Sequence, residues 1–172
     1  MQIVISAYGM GYHMFLERNV QALKATGARV VVVSDAEDNA PEYSSVTVIK
    51  YKPAVEVFSL ARTSNCGIRY CGSGVVIKSD PDIVFNTALL WFIQKTVQPG
   101  IGICAMCNYV ELAEYQAGVV WKEEKVSGGQ GGCMALDYSD WDKLSGYDER
   151  MYGWGVRRHR LIHQGKRKDK AD

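Results

Sequence analysis

Asp80-Pro81-Asp82 places two carboxylates two residues apart, just beyond the run Val75-Val76-Ile77-Lys78. Two acids that close at the end of a buried strand repel each other, and a divalent cation or a partner base relieves the repulsion. Hard carboxylate oxygens favour Mn²⁺ or Mg²⁺, ions that also hold a diphosphate. Pro81 fixes one backbone angle and limits how the two side chains swing. A polar turn with aspartate caps accounts for the same residues, so the spacing alone leaves both readings open. Asp35 ends a second apolar run, Val30-Val31-Val32-Val33-Ser34. Its carboxylate suits a cap, or a hydrogen bond to the base or ribose of a ligand. Arg62 suits a charge partner for Asp35 or Asp80, a diphosphate contact, or a structural ion pair. His159 and His163 lie four apart, on one face if their segment is helical; they suit a metal shell or a surface pair. Trp154, between two glycines, suits a sugar face or plain packing.

These residues need elements to position them. An apolar strand over 2–6 leads into the loop Tyr8-Gly9-Met10-Gly11. Met14, Leu16, Val20 and Leu23 recur at helical spacing, which predicts a helix over 14–25 that Gly27 ends. Residues 29–33 form an apolar, β-branched run from Val30 onward, the mark of a strand covered on both faces. A third strand over 46–49 and a helix starting at Pro53 and reaching about residue 70 follow. Then come a strand over 75–78, a helix over 86–96, a breaker at Pro99-Gly100, a strand over 101–106 and a helix over 110–122. The glycine-rich run 128–132, a lid or a linker, precedes a short strand over 133–136 and short helices over 138–144 and 156–163. Strands and helices alternating at this spacing predict one α/β domain, a Rossmann-like, mainly parallel sheet flanked by helices. Its site belongs at the carboxyl ends of the strands, where Tyr8, Asp35, Asp80 and Asp82 gather. The first loop holds one G-x-G but neither a dinucleotide fingerprint nor a P-loop, so ordinary NAD binding and P-loop chemistry fit poorly.

Composition narrows the classes further. The 172 residues are 47% hydrophobic and 23% charged with a net charge of +1, which excludes wholesale disorder and argues against a uniformly basic nucleic-acid binder. The charge is uneven: residues 150–172 carry eight basic and two acidic side chains. Residues 1–165 read as the domain and 166–172 as a basic tail, solvated or able to meet a phosphorylated ligand or weakly touch an anionic membrane. Five cysteines, an odd number, are not a disulfide scaffold. The expectation is buried thiols rather than a zinc site at Cys104 and Cys107. No apolar run approaches a membrane span, and the amino terminus reads as a strand rather than a signal peptide, so a cytoplasmic location is expected. Trp91, Trp121 and Trp141 are expected in the core.

Several segments come in a telling order: Ser6-Ala7-Tyr8; the valine run ending at Asp35; Leu60-Ala61-Arg62-Thr63-Ser64-Asn65-Cys66-Gly67-Ile68; Ile77-Lys78-Ser79-Asp80-Pro81-Asp82-Ile83; then Gly131-Gly132, Met134-Ala135-Leu136, Gly146-Tyr147-Asp148-Glu149 and Gly153-Trp154-Gly155. Together they resemble a nucleotide-sugar-dependent glycosyltransferase of the GT-A fold with a galactosyltransferase-like C-terminal segment. The A-R-N-x-G-I segment of that family differs here, because Thr63 and Ser64 stand ahead of the asparagine.

The resemblance implies a nucleotide diphosphate sugar as donor, UDP-sugar first, and a metal-dependent sugar transfer to an unidentified acceptor. It implies that Tyr8 and Asp35 hold the base, and that Asp80 and Asp82 hold Mn²⁺ (or Mg²⁺) across the diphosphate, with His159 as a third ligand. Arg62 and Arg158 then meet phosphate, and Trp154 meets sugar or acceptor. After G-W-G the family has an acid that often serves as base, whereas this chain has Arg157 and Arg158, which stay protonated. The base role then moves to Asp148 or Glu149. The alternative is a nucleotide- or sugar-binding protein on the same fold with reduced or lost catalysis. A two-carboxylate phosphatase fits less well, since the first strand ends in Ser6-Ala7-Tyr8 rather than an acid.

Overall fold

The computed structural model describes residues 1–7, 13–24, 26–35, 46–52, 58–105, 113 and 132–153. Its strands are β1 (Gln2–Ala7), β2 (Arg29–Asp35), β3 (Thr47–Tyr51), β4 (Val75–Ser79), β5 (Ile103–Ala105) and β6 (Cys133–Asp137). Its helices are α1 (His13–Lys24), α2 (Leu60–Cys71), α3 (Thr87–Thr96) and α4 (Tyr138–Lys143). The expected helices over 110–122 and 156–163 lie outside the described residues, apart from residue 113. So does the basic tail.

The six strands form one sheet in the order β3-β2-β1-β4-β6-β5. β3, β2, β1 and β4 run parallel, and β6 runs antiparallel between β4 and β5. The expected α/β fold, a mostly parallel sheet flanked by helices, is therefore present. Alternation along the strands divides the core into two layers. Ile3, Ile5, Val30, Val32 and Ile77 face Leu16, Val20 and Leu23 of α1 and Leu90 and Ile93 of α3. Val4, Val31, Val33 and Val76 face Ile68 of α2 and Trp141 of α4. Gly67 lets α2 lie flat on the sheet, because a Cβ there would run into the side chains of Val4 and Val33.

Local chemistry sets the ends of the helices. The Ser59 hydroxyl caps α2 by accepting from the Arg62 N–H at 3.3 Å, and Gly72 closes the helix at φ 72°. Asn86 and Asp137 cap α3 and α4 in the same way. Of the helix expected from Pro53, residues 53–57 lie outside the described residues, and α2 begins at Leu60. Phe58 is not free to join it: the Phe58 carbonyl accepts from the Gly153 N–H at 2.7 Å, and the Leu60 N–H donates to the Gly153 carbonyl at 3.2 Å. β5 is also shorter than expected. Gln98 and Ile101 exchange backbone hydrogen bonds around Pro99-Gly100, which diverts Ile101 into a turn.

Two other expectations are corrected. Trp91 is 63% exposed, because α3 covers the sheet with Leu90 and Ile93 only, while Trp141 is buried as expected. Of the described cysteines, Cys71 and Cys133 are buried, Cys66 is half-buried and Cys104 is exposed near the outer edge of the sheet. No described helix is long and apolar enough to cross a membrane.

Candidate functional site

Parallel neighbours end on the same edge of a sheet. β1 pairs with β2 on one side and with β4 on the other, with Ala7 beside Ser34 and Ile5 beside Ser79. Asp35 and the Asp80–Asp82 turn thus leave the sheet at one edge with a single strand between them, about 10 Å apart across the hydrogen-bonding direction. The Asp35 backbone pairs with Tyr51; its side chain lies outside the described ones, as does that of His13 in the first turn of α1.

The Asp80–Asp82 turn is fixed from several directions. The Asp80 N–H donates to the Gly132 carbonyl at 2.9 Å, and the Ile83 N–H donates to the Asp80 carbonyl at 3.3 Å. From α1, the Asn19 amide donates to the buried Pro81 carbonyl at 2.9 Å. Asn19 is 1% exposed, and its own side-chain oxygen has no hydrogen-bond partner among the described residues. Lys78, two residues upstream, has a side chain only 3% exposed, and its ammonium is ion-paired with the Asp80 carboxylate. A buried ammonium needs such a partner. Asp82 reaches the surface, yet the surrounding chain crowds water from its carboxyl and raises its pKa, the charge of Asp80 adding to the effect; its own backbone N–H and Lys78 pull the other way.

A second constellation joins α2 to the turn that follows α4. Asn65, on the inner face of α2, is matched to the Tyr147 backbone: its amide nitrogen donates to the Tyr147 carbonyl at 2.9 Å, and its oxygen accepts from the Tyr147 N–H at 2.8 Å. Gly146, at φ 66°, must be glycine, since a Cβ there would strike the Asn65 amide. Glu149 accepts from Arg69 at 2.9 Å and from Asn65 at 3.0 Å, and these bonds, Arg69 first, hold its carboxyl below the usual glutamate range. Asp148 is held by Arg150 in a two-pronged pair, with contacts of 2.7 and 2.8 Å. Arg62 donates to the Glu149 carbonyl at 2.9 Å and stacks over the Tyr152 ring. Ser59 donates to the Met151 carbonyl at 2.7 Å. Burial pushes the Tyr147 phenol up to about 12, and the Asp80 charge contributes, which links this turn electrostatically to the strand end.

The structure thus brings Asp80 and Asp82 to the edge that Asp35 shares, and gathers Arg62, Asp148 and Glu149 into a separate clamp. Tyr8, Trp154, Arg157, Arg158, His159 and His163 lie outside the described residues, as do Trp121, Cys107 and residues 128–131 of the glycine run. Among the described residues no group of three or more His, Cys, Asp or Glu side chains converges on a metal position. A cavity of about 260 Å³ lies between α2 and α4, lined in part by Asn65, Arg69 and Trp141, and so flanks the clamp rather than the strand end.

Two residues of this region escape a reading of the sequence. Lys78 is a cation in a buried parallel strand, and its signal is that such a residue demands a partner. Asn19 is a polar residue three positions from Leu16 on the apolar face of α1.

No protein-family model matches the chain, and no curated protein matches it in sequence. Solved structures do match in shape. HddC from Yersinia pseudotuberculosis aligns over 91% of this chain and 84% of its own at 15% identity, with a TM-score of 0.50. A putative glucose-1-phosphate thymidylyltransferase from Bacillus anthracis, solved with a sucrose, aligns over 84% and 74% at 11% identity, with a TM-score of 0.52. The galactosyltransferase LgtC, in complex with donor and acceptor sugar analogues, aligns over 86% of this chain and 60% of its own at 13% identity, with a TM-score of 0.49. At these identities the likeness is one of fold. The chain has a GT-A-like, Rossmann-like fold, a mostly parallel sheet flanked by helices.

Proposed function

We propose that the strand-end edge binds a nucleotide diphosphate sugar, UDP-sugar first, and that the protein moves the sugar to an acceptor. The observation that carries the reading is the Asp80–Asp82 turn, set rigidly on the same edge as Asp35 and one strand away from it. The fold supports it by likeness to a protein named for a sugar phosphate and a thymidylyl group. In this reading Asp35 and Tyr8 face the base.

The donor set at the turn suits a hard cation. Asp82 carries an exposed carboxylate, Asp80 has a second oxygen besides the one on Lys78, and the two charges crowd each other. Asp80 and Asp82 would hold Mn²⁺ or Mg²⁺, with His159 as a further ligand. When bound, the ion supplies positive charge against the leaving nucleotide diphosphate. Lys78 supplies a fixed charge beside it. Arg158 and Trp154 keep the phosphate and sugar roles that the resemblance gives them.

Asp148 and Glu149 are the acids available for the base role. Each is already paired with an arginine, and Glu149 is a weaker base than a free carboxylate. This favours a second reading, in which the clamp is structural and the protein binds a nucleotide sugar without efficient transfer. Release of free UDP from several UDP-sugars separates the two. Turnover that falls on Asp148→Ala or Glu149→Ala beyond any loss of folded protein supports transfer with that acid as base. UDP-sugar binding with no release on any acceptor supports the binding protein.

A further inference from the structure

We propose that Lys78 is a positioning residue that makes cation binding at the Asp80–Asp82 turn conditional on a diphosphate. The inference rests on the nucleotide-sugar reading and deepens it. Lys78 stands in β4 beside Val4 on one side and Met134 on the other. With its side chain 3% exposed, its ammonium takes one Asp80 oxygen as counter-ion. The three charges of Lys78, Asp80 and Asp82 therefore sum to a single negative charge. Among the described residues no further His, Cys, Asp or Glu joins them to make a metal cluster.

A divalent cation approaching this turn alone meets one unshared carboxylate, one half-shared carboxylate and a repelling ammonium. A nucleoside diphosphate changes the balance, because it brings negative charge and oxygen ligands of its own. The ammonium that repels the lone ion then attracts the ion's partner. The backbone of Asp80 is also fixed. Its N–H is tied to Gly132, and the next carbonyl is tied to Asn19 at 2.9 Å. The Asn19 oxygen, buried and without a hydrogen-bond partner among the described residues, lies at the back of the turn. Ion and diphosphate are thus coupled ligands, each raising the affinity of the other by the same factor.

The test is a titration of the full chain with Mn²⁺, read by the paramagnetic resonance of free ion, with and without UDP. In the unaltered protein, UDP is expected to tighten Mn²⁺ binding by about tenfold or more. Lys78→Met removes the repelling charge and is expected to tighten Mn²⁺ binding without UDP by a similar factor, shrinking the coupling. Lys78→Gln, which keeps a hydrogen bond to Asp80 without the charge, is expected to do the same should Lys78→Met not fold. Mn²⁺ bound equally tightly with and without UDP by the unaltered protein overturns the inference, and so does a folded Lys78→Gln whose coupling is unchanged. UDP binding is read separately by calorimetry, and where it survives in either case the nucleotide-sugar reading stands. UDP left unbound with or without Mn²⁺ overturns both.

Discussion

The clamp between α2 and residues 145–153 and the turn after β4 are both rich in acids, but they use them differently. In the clamp, Asp148 is paired with Arg150 and Glu149 with Arg69, and the backbone around them is held by Asn65, Arg62 and Ser59. At the turn, Lys78 is paired with Asp80, and the Asp82 carboxyl is pushed up rather than down. Groups whose charge is balanced hold a structure together, whereas groups left with unrelieved charge are where a charged ligand gains most. In the proposed reading the clamp positions and the turn binds.

The sharpest break of this comparison lies within the turn. Asp80→Ala strips the counter-ion from buried Lys78 and is expected to cost about 2–4 kcal/mol of stability in urea unfolding. Asp82→Ala, two residues away on the surface, is expected to change stability by less than about 0.5 kcal/mol. Equal costs for the two would mean that Lys78 does not depend on Asp80.

In the clamp, Asn65→Ala leaves the Tyr147 N–H and carbonyl without partners and is expected to cost about 2–3 kcal/mol, measured in the same way. Gly67→Ala forces a methyl group into Val4 and Val33 and is expected to cost about 1–3 kcal/mol by lifting α2 from the sheet. A neutral Gly67→Ala would show that α2 can shift without loss, and that the clamp does not depend on its seat.

Glu149→Gln has a small effect, under about 1 kcal/mol, because the ion pair is largely exposed. Its sign is fixed by pH. The folded carboxyl sits below its ordinary value of 4.5, so its contribution is present above that value and is lost as pH falls through the lowered one. The stability gap between the unaltered protein and Glu149→Gln should therefore close on acidification below 4.5. A gap that widens there would place the Glu149 charge in an unfavourable setting.

Much of the scaffold can be read from the chain, because buried parallel strands are runs of β-branched residues. Val30 to Val33 and Val75 to Ile77 announce themselves in this way. The position of Asp80 and Asp82 at a strand end follows from the same runs. The partners are harder to read. That Asn65 grips Tyr147, 82 positions away, depends on how α2 lies across the sheet. The burial of Lys78 depends on a register that brings Val4 and Met134 to its sides, and helix periodicity alone did not show that α3 leaves Trp91 in solvent.

Calorimetric titration of the protein and of Asp82→Ala with UDP in the presence of Mn²⁺ tests the central claim most directly. The account predicts Mn²⁺-dependent heat for the unaltered protein and a loss of affinity of about tenfold or more for a fully folded Asp82→Ala. Binding that survives intact in Asp82→Ala, or no binding of UDP by the unaltered protein, would contradict it.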